Sequence, residues 1–574
     1  MDLIALYGTA EPPGQVQTIR HGRVRLGLQD GVIRHIHVGE TEIIRQIAYL
    51  VRDRDWGTVR PEIGAITRQE EAGRLHLSFP MVFHANGARQ DVELSLIITD
   101  DSLEFSAESR ISGMFETNRT GFTVLHPING VDGAPARVTH SDGQVEDSHF
   151  PDLIEPWQPF MDIVSLEHQA HGMTITCAFE GDTFEMEDQR QWGDASYKTY
   201  NRPLALPWPY QLQDGQILRQ AVRLSWQGEG RAAAPGAPEI AENTRFPQMA
   251  LVVTADEARS PAAAEALSLV NPQRILCHVD ATLTEPVSSQ LAAFAALQGG
   301  YGGAIYDLEL ICRFQHSPDS ELSSHAVALR GAGLTVASVF VCPGVDRQST
   351  PPGSVWPECP PLDQIHQAAA RAFPDHIRGG GMASFFPELN RKRPPAGLDF
   401  ISHGICPIVH AADDLAVIEM LEAVPHIARS ARAIVGAAEY RIGPSTIAMR
   451  QNPYGSRTIP NPDGGRVAMA DDDPRHRAAF GAAWALGLAT ALAPFGPAVW
   501  TPAALFGPRG LGDGAWPITG LLRELAAGAG QPVRLAQIAG GLARLQLGER
   551  LFQANLTDAP LAGLAPFGWS VSAA

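Results

Sequence analysis

Residues 377–397 read IRGGGMASFFPELNRKRPPAG, and the fold turns on whether the first half of that stretch is a strand. IRGGGMASFF has the length and apolar run of a buried strand, and its glycines permit a bulge or the close approach of a second backbone. The run ends at Glu388, and Asn390, Arg391, Lys392 and Arg393 follow at once. A solvated turn does not need a carboxylate held at the end of an apolar segment among an amide and three cations. At the C-terminal end of a strand in a parallel barrel, that carboxylate stands where such folds carry their active sites. The competing reading is a surface ion pair on a loop.

The flanking sequence supports the barrel. MALVVT, RILCHVD, YDLELICR and LTVASVFV precede this stretch as strand-like runs, and LDFISHGI, AEYRIG and AVWTPAALF follow it. Helix-like segments such as SSQLAAFAALQ, LDQIHQAAARAF and DDLAVIEMLEAVPHIARSARA lie between many of them. Alternating strand and helix implies a parallel sheet with crossover helices, and eight strands imply a TIM-like (β/α)8 barrel over residues 246–530. A doubly wound open sheet is the alternative, but no Gly-rich dinucleotide fingerprint follows a strand.

Upstream, residues 1–226 read differently. Short alternating segments such as LHLSFPMVF and DVELSLIITD are separated by turn formers, among them Asp30-Gly31, Asn86-Gly87 and Asp142-Gly143. That is the pattern of an antiparallel β-sandwich. Residues 227–245, rich in Gly, Ala and Pro, read as a linker. The tail, 531–574, is expected to return a helix and strands to the sandwich.

The net charge of −19 argues against nucleic acid or an anionic membrane as partner. The six cysteines form no C-x-x-C pair, which suits reduced thiols in a cytoplasmic protein. The N-terminus lacks the features of a signal peptide. The uncharged run from Phe480 is broken by Pro494 and Pro497 and reads as a buried helix running into a buried strand. No metal or cofactor motif stands out: there is no H-E-x-x-H and no G-x-S-x-G elbow.

The candidate chemistry lies at strand ends. Glu388 and His410 are the expected catalytic groups, either one able to serve as a base. Asp413, three residues after His410, could orient it, or could cap the helix that follows, as Asp414 could. Asp280 ends the second barrel strand with His278 two before it. Glu309 sits inside an apolar strand and needs partners there; it is a floor ion pair or a substrate contact. Arg450, Asn452 and Tyr454 share one loop, as hydroxyl or anion binders or as an ordered turn. Asn390 and Arg391 flank Glu388. Inside the sandwich, Glu187, Asp188, Asp194 and Lys198 form a dense cluster that is an interdomain latch or a lid over the barrel mouth. DRDWG (53–57) and TNRTGF (117–122) invite the same two readings.

The stretches VRDRDWGT, NRTGF-VLHP, FEMEDQR-W-DASYKTY, the ELNR-RP block at Glu388 to Pro394, PIVHAADD and GPS-I-MR-NPYG together resemble the D-apionate lactonase family. The resemblance implies hydrolysis of D-apionolactone to D-apionate; a small sugar lactone is the expected substrate, and no cofactor is expected. It implies no residue-level mechanism, and the sequence carries no signal of oligomeric state. Two other classes compete. A glycoside hydrolase on the same fold would need paired carboxylates, about 5–5.5 Å apart if retaining or about 6.5–9.5 Å if inverting. A non-catalytic sugar binder would need an aromatic platform rather than a polar cluster.

Overall fold

Eight strands close into a parallel barrel: Gln248–Thr254, Arg274–Asp280, Ile305–Cys312, Ser338–Pro343, Ile377–Phe385, Phe400–Ile405, Glu439–Ser445 and Val499–Ala504. They are the eight segments expected from the sequence. The structure, a computed structural model, describes residues 2–54, 56–71, 73–230, 236, 238–455 and 457–574. Residues 231–235 and 237 of the expected linker, and Asp55 of DRDWG, lie outside the described residues.

The glycines of the fifth strand are explained by its neighbour. Gly379 pairs with Phe400 and Gly381 with Ser402, after which the register shifts so that Phe385 pairs with Gly404. A Cβ on Gly379 would sit 2.1 Å from the Phe400 ring. Gly381 has φ +117, and a Cβ there would meet the Ser402 carbonyl at 2.2 Å. Only glycine fits both a crowded wall and that backbone.

The N-terminal part is a seventeen-stranded antiparallel sheet folded back on itself, with its own core centred on residues such as Ile47, Phe79, Phe105 and Phe122. The apolar run from Phe480 is the buried helix Ala479–Leu492, which leads into the last barrel strand. Among the described residues no helix is long and apolar enough to cross a membrane.

The tail departs from expectation. Val533–Ala539, Leu542–Leu547, Arg550–Asn555 and Trp569–Ala573 form a separate four-stranded sheet. Apolar side chains of the tail, Leu545 and Phe552 of this sheet and Phe567 just before its last strand among them, join the barrel's core and not the sandwich's. The reason is the helix Ala479–Leu492. It is apolar on every side, so the face turned away from the barrel needs a cover, and the tail supplies it.

Charged side chains join the two domains along the helix Asp414–Val435. Arg34 meets Asp413 at 2.8 Å, Arg45 meets Glu422 at 2.9 Å, and His35 lies between Glu42 at 2.9 Å and Glu419 at 2.7 Å. Burial alone would lower the His35 pKa, but hydrogen bonds to Glu419 and Glu42 hold it up at about 9. A raised imidazole pKa stabilises the fold fully below about pH 6.5 and loses that contribution as pH rises through 9, a change of roughly 3 kcal/mol. Urea denaturation at pH 6 and pH 10 should therefore show a larger loss for the wild type than for His35→Gln. Equal losses would exclude His35 as the source.

Candidate active site

Glu388 follows directly from the fifth strand. The chain turns at Phe385 into the short helix Phe386–Arg391, and the Glu388 carboxylate reaches back to that turn. Its Oε2 accepts from the Phe385 backbone N–H and the Ser384 hydroxyl, both at 3.3 Å. This is the return half of a capping box, which a Glu at the third helical position makes. The other oxygen, Oε1, is buried and has no hydrogen-bond partner. Burial pushes the Glu388 carboxyl up to about 7, and Arg391 offsets only part of that.

The residues after Glu388 clamp neighbouring segments. Asn390 Nδ2 donates to the Ile154 carbonyl at 2.9 Å. Arg391 donates to the Pro156 carbonyl at 3.1 Å and to Ser349 Oγ at 2.9 Å. Lys392 pairs with Asp346 at 2.6 Å. The density of polar groups seen in the sequence is thus partly a domain clamp and partly a pocket wall, since Arg391 also faces a cavity.

That cavity lies between the two domains. The sandwich contributes Arg52, Trp56, Arg119, Glu187, Lys198, Tyr200 and Leu204. The barrel contributes Pro351, Pro352, Arg391, Val409, His410, Tyr454 and Met469, all from loops beyond strands four to seven. Sandwich strands, with Trp56 and Leu204 from the segments between them, therefore face the barrel mouth, where the barrel fold places catalytic groups.

His410 is held by a residue from the other domain. Its Nδ1 lies 2.7 Å from Asp194 Oδ2. The Gln189 amide nitrogen lies 3.0 Å from the same Nδ1, but the carboxylate is nearer and can only accept, so Nδ1–H donates to Asp194, which sets the tautomer and leaves Nε2 as the lone pair. Asp194 is aimed by its own turn: the 3-10 helix Gln189–Trp192 ends at Gly193 with φ 88, a left-handed position suited to glycine. Trp192 of the same turn packs edge-on against His410 and lies against Tyr454. Its indole N–H donates to Glu187 Oε1 at 2.8 Å.

Glu187 Oε2 lies 3.0 Å from Lys198. Burial would raise the Glu187 pKa, yet Lys198, His410 and Arg391 hold it down at about 2. Burial lowers Lys198 against the pull of Glu187. Tyr454 is pushed well above its ordinary value by burial and then by Glu187, Glu388 and Asp194. Glu388 is not among the described residues that line the cavity, and its link to the pocket is its charge, which acts on Tyr454 together with those of Glu187 and Asp194.

The expected site residues divide. Glu187, Lys198, Arg391, His410 and Tyr454 line the pocket. Arg450 and Asn452 line an adjoining cleft that shares Pro351 with it. There Arg450 is ion-paired to Glu309, and His278 lies 2.7 Å from the same carboxylate. Burial would raise Glu309, but Arg450 and His278 hold it at about 2, the ion-pair reading of that residue. Asn452 Oδ1 accepts from the Tyr454 N–H at 2.8 Å and so shapes its own loop. Asp280 is bound to Arg347 at 2.6 Å and to Thr282. Asp413 caps its helix by accepting from Ala416 N–H and pairs with Arg34. Asp188 forms a fully buried pair with Arg190 at 2.7 Å, and Arg190 donates to the Pro151 and Asp152 carbonyls. The acidic cluster is therefore latch and pocket wall together.

Sequence reasoning left two cationic wall residues and one arginine of the adjoining cleft, Arg347, unassigned to a role. Arg52 and Arg119 fall in or beside the two stretches noted as latch or lid, and Arg347 carries no motif. Among the described residues, Cys312, Glu321 and His325 are the one group close enough together to share a metal ion. None of the three lines the pocket.

A family model described as "D-apionate lactonase, TIM barrel domain" matches residues 249–545, and one described as "D-apionate lactonase, N-terminal domain" matches residues 4–229. A D-apionate lactonase of Brucella anthropi is 44% identical over 546 residues, 92% of this chain and 88% of that protein. Among solved structures, an α-galactosidase from Geobacillus stearothermophilus covers 94% of this chain and 91% of its own at 10% identity, with a TM-score of 0.26. A putative aldose 1-epimerase from Escherichia coli covers 38% of this chain and 100% of its own at 12% identity, with a TM-score of 0.27.

Proposed function

The chain belongs to the D-apionate lactonase family, and from that premise we propose that it hydrolyses a sugar-acid lactone, D-apionolactone, to the open-chain aldonate in the pocket between its domains. The observation that carries the reading is the His410–Asp194 pair, a base with a fixed tautomer, facing a wall of cations. His410 Nε2 takes a proton from water, and the hydroxide adds to the lactone carbonyl carbon. Arg391 and the cationic wall stabilise the negative charge that develops on the carbonyl oxygen. The bond from that carbon to the ring oxygen breaks, and protonated Glu388 gives the ring oxygen its proton. The imidazolium returns a proton to Glu388 through solvent. The new acid ionises and releases one proton per turnover.

The glycosidase alternative needs two carboxyl groups across the scissile bond. Among the described residues that line the pocket the carboxyl group is Glu187, already paired to Lys198, and Glu388 stands outside that lining, so no two free carboxyl groups line it. A cytoplasmic setting is part of the same reading, supported by six unpaired cysteines.

Proton release from purified protein offered D-apionolactone, other aldonolactones and aryl glycosides tests the function. Turnover of a lactone and not of glycosides is expected, unchanged by chelator. Glycoside cleavage with inert lactones would overturn it. Loss of lactone turnover with chelator would move the chemistry away from His410 and Glu388.

A further inference from the structure

We propose that Arg52 and Arg119 form a carboxylate subsite in this pocket, one that takes the open-chain aldonate and other small carboxylates in preference to neutral sugars, so that the enzyme is held by its own product. The identity of the aldonate rests on the lactonase reading; the subsite itself rests on the two arginines.

Arg119 is only 6% exposed. Its guanidinium makes no hydrogen bond and no ion pair to any described residue, and its Nε is completely shielded from solvent with no partner. Its contacts are ring faces, Tyr200 at 4.0 Å and Trp56 at 5.4 Å. Arginine carries five N–H donors, and leaving them unmet in a buried place is costly. Arg52, on the strand paired with that of Arg119 (Arg119 opposite Arg52), donates to the Trp56 carbonyl at 3.4 Å and to the Thr58 hydroxyl. Burial and then the charge of Arg119 push Arg52 down to about 10, with Tyr454, Asp194 and Asp53 pulling the other way.

The rest of the described wall does not supply a free anion. Arg391 adds a further cation, and among the described wall residues the carboxylate, Glu187, is already paired with Lys198. A planar guanidinium fork matches a carboxylate bidentately. The neutral lactone cannot discharge this wall, but the carboxylate formed by its hydrolysis can. Charge attraction in a water-poor pocket then favours product over substrate.

Calorimetric binding of the sodium salt of D-apionate, of D-apionamide as its uncharged isostere, and of acetate, at pH 7 and constant ionic strength, tests the subsite. The wild type should bind the aldonate at least tenfold more tightly than the amide and should bind acetate weakly at the same place. Arg119→Gln should lose at least tenfold for the aldonate while its affinity for the amide stays within a factor of about three, and Arg119→Lys should recover part of the loss. The comparison of aldonate with amide on the wild type holds even where a variant fails to fold. Equal affinity for the two overturns the subsite, whether or not lactones are hydrolysed. Preference for the aldonate in a protein that turns over no lactone would sustain the subsite and sink the lactonase reading.

Discussion

His410→Ala should lower kcat for lactone hydrolysis by a factor of about 10²–10⁴, the usual worth of a positioned general base. The imidazole lines the pocket with its Nδ1 engaged by Asp194, which leaves Nε2 as the lone pair available to take a proton. Truncation leaves the cationic wall in place, so KM should change far less than kcat. Asp194→Asn separates positioning from base chemistry. The amide can still meet Nδ1, but it can donate to it and so favour the wrong tautomer. Asp194→Asn should therefore lose a large part of the His410 effect, and the double variant should be little worse than His410→Ala alone, because the two residues act as a unit. Full activity in Asp194→Asn, or additive losses in the double variant, would show that Asp194 is merely a structural partner. Circular dichroism on each variant excludes misfolding.

The partner of His410 shows what a sequence can and cannot disclose. Asp413 stands three residues away in the chain and invites pairing, but the helix Asp414–Val435 needs an N-cap and Arg34 needs a counter-ion, and Asp413 meets both demands. The carboxylate that does hold His410 comes from 216 residues earlier. Local spacing reports local needs such as caps and turns; it cannot report which loop of a distant sandwich lands on a barrel mouth. The barrel itself was legible because strand and helix alternate in the chain and neighbouring strands pair in order. Glu388 was legible for the same reason: its position depends only on where its own strand ends. Arg52 and Arg119 were visible only as polar residues in turn-rich stretches. Their function depends on the domain interface, and the sequence signal for that interface is diffuse. The tail was misjudged because covering the all-apolar helix Ala479–Leu492 is a requirement of the assembled barrel and not of the tail's own pattern.

Glu388→Gln should separate activity from stability in opposite directions. The folded carboxyl sits at about 7 because burial disfavours its charged form, and Oε1 finds no donor to offset that. The ordinary value for a glutamate carboxyl is 4.5. A carboxyl whose folded pKa is raised costs nothing below the unfolded value, where both states are protonated. The cost grows as pH rises from about 4.5 through 7, reaching roughly 3 kcal/mol above that. Glutamine has the same shape and no charge, so Glu388→Gln should be more stable than the wild type at pH 8 by an amount of that order, and indistinguishable from it at pH 4. As a proton donor to the ring oxygen it is useless, so kcat should fall about 10²–10⁴-fold. The wild-type rate should also decline as pH rises past about 7, when Glu388 loses the proton it must give, and that limb should vanish in the variant. Urea denaturation at both pH values, with a pH–rate profile, reads all three. A folded Glu388→Gln with full turnover would remove Glu388 from the chemistry. A variant that is slower and also less stable at pH 8 would make the carboxylate a structural cap, satisfied through Ser384 and Phe385, and would leave His410 to deliver the proton to the leaving oxygen itself.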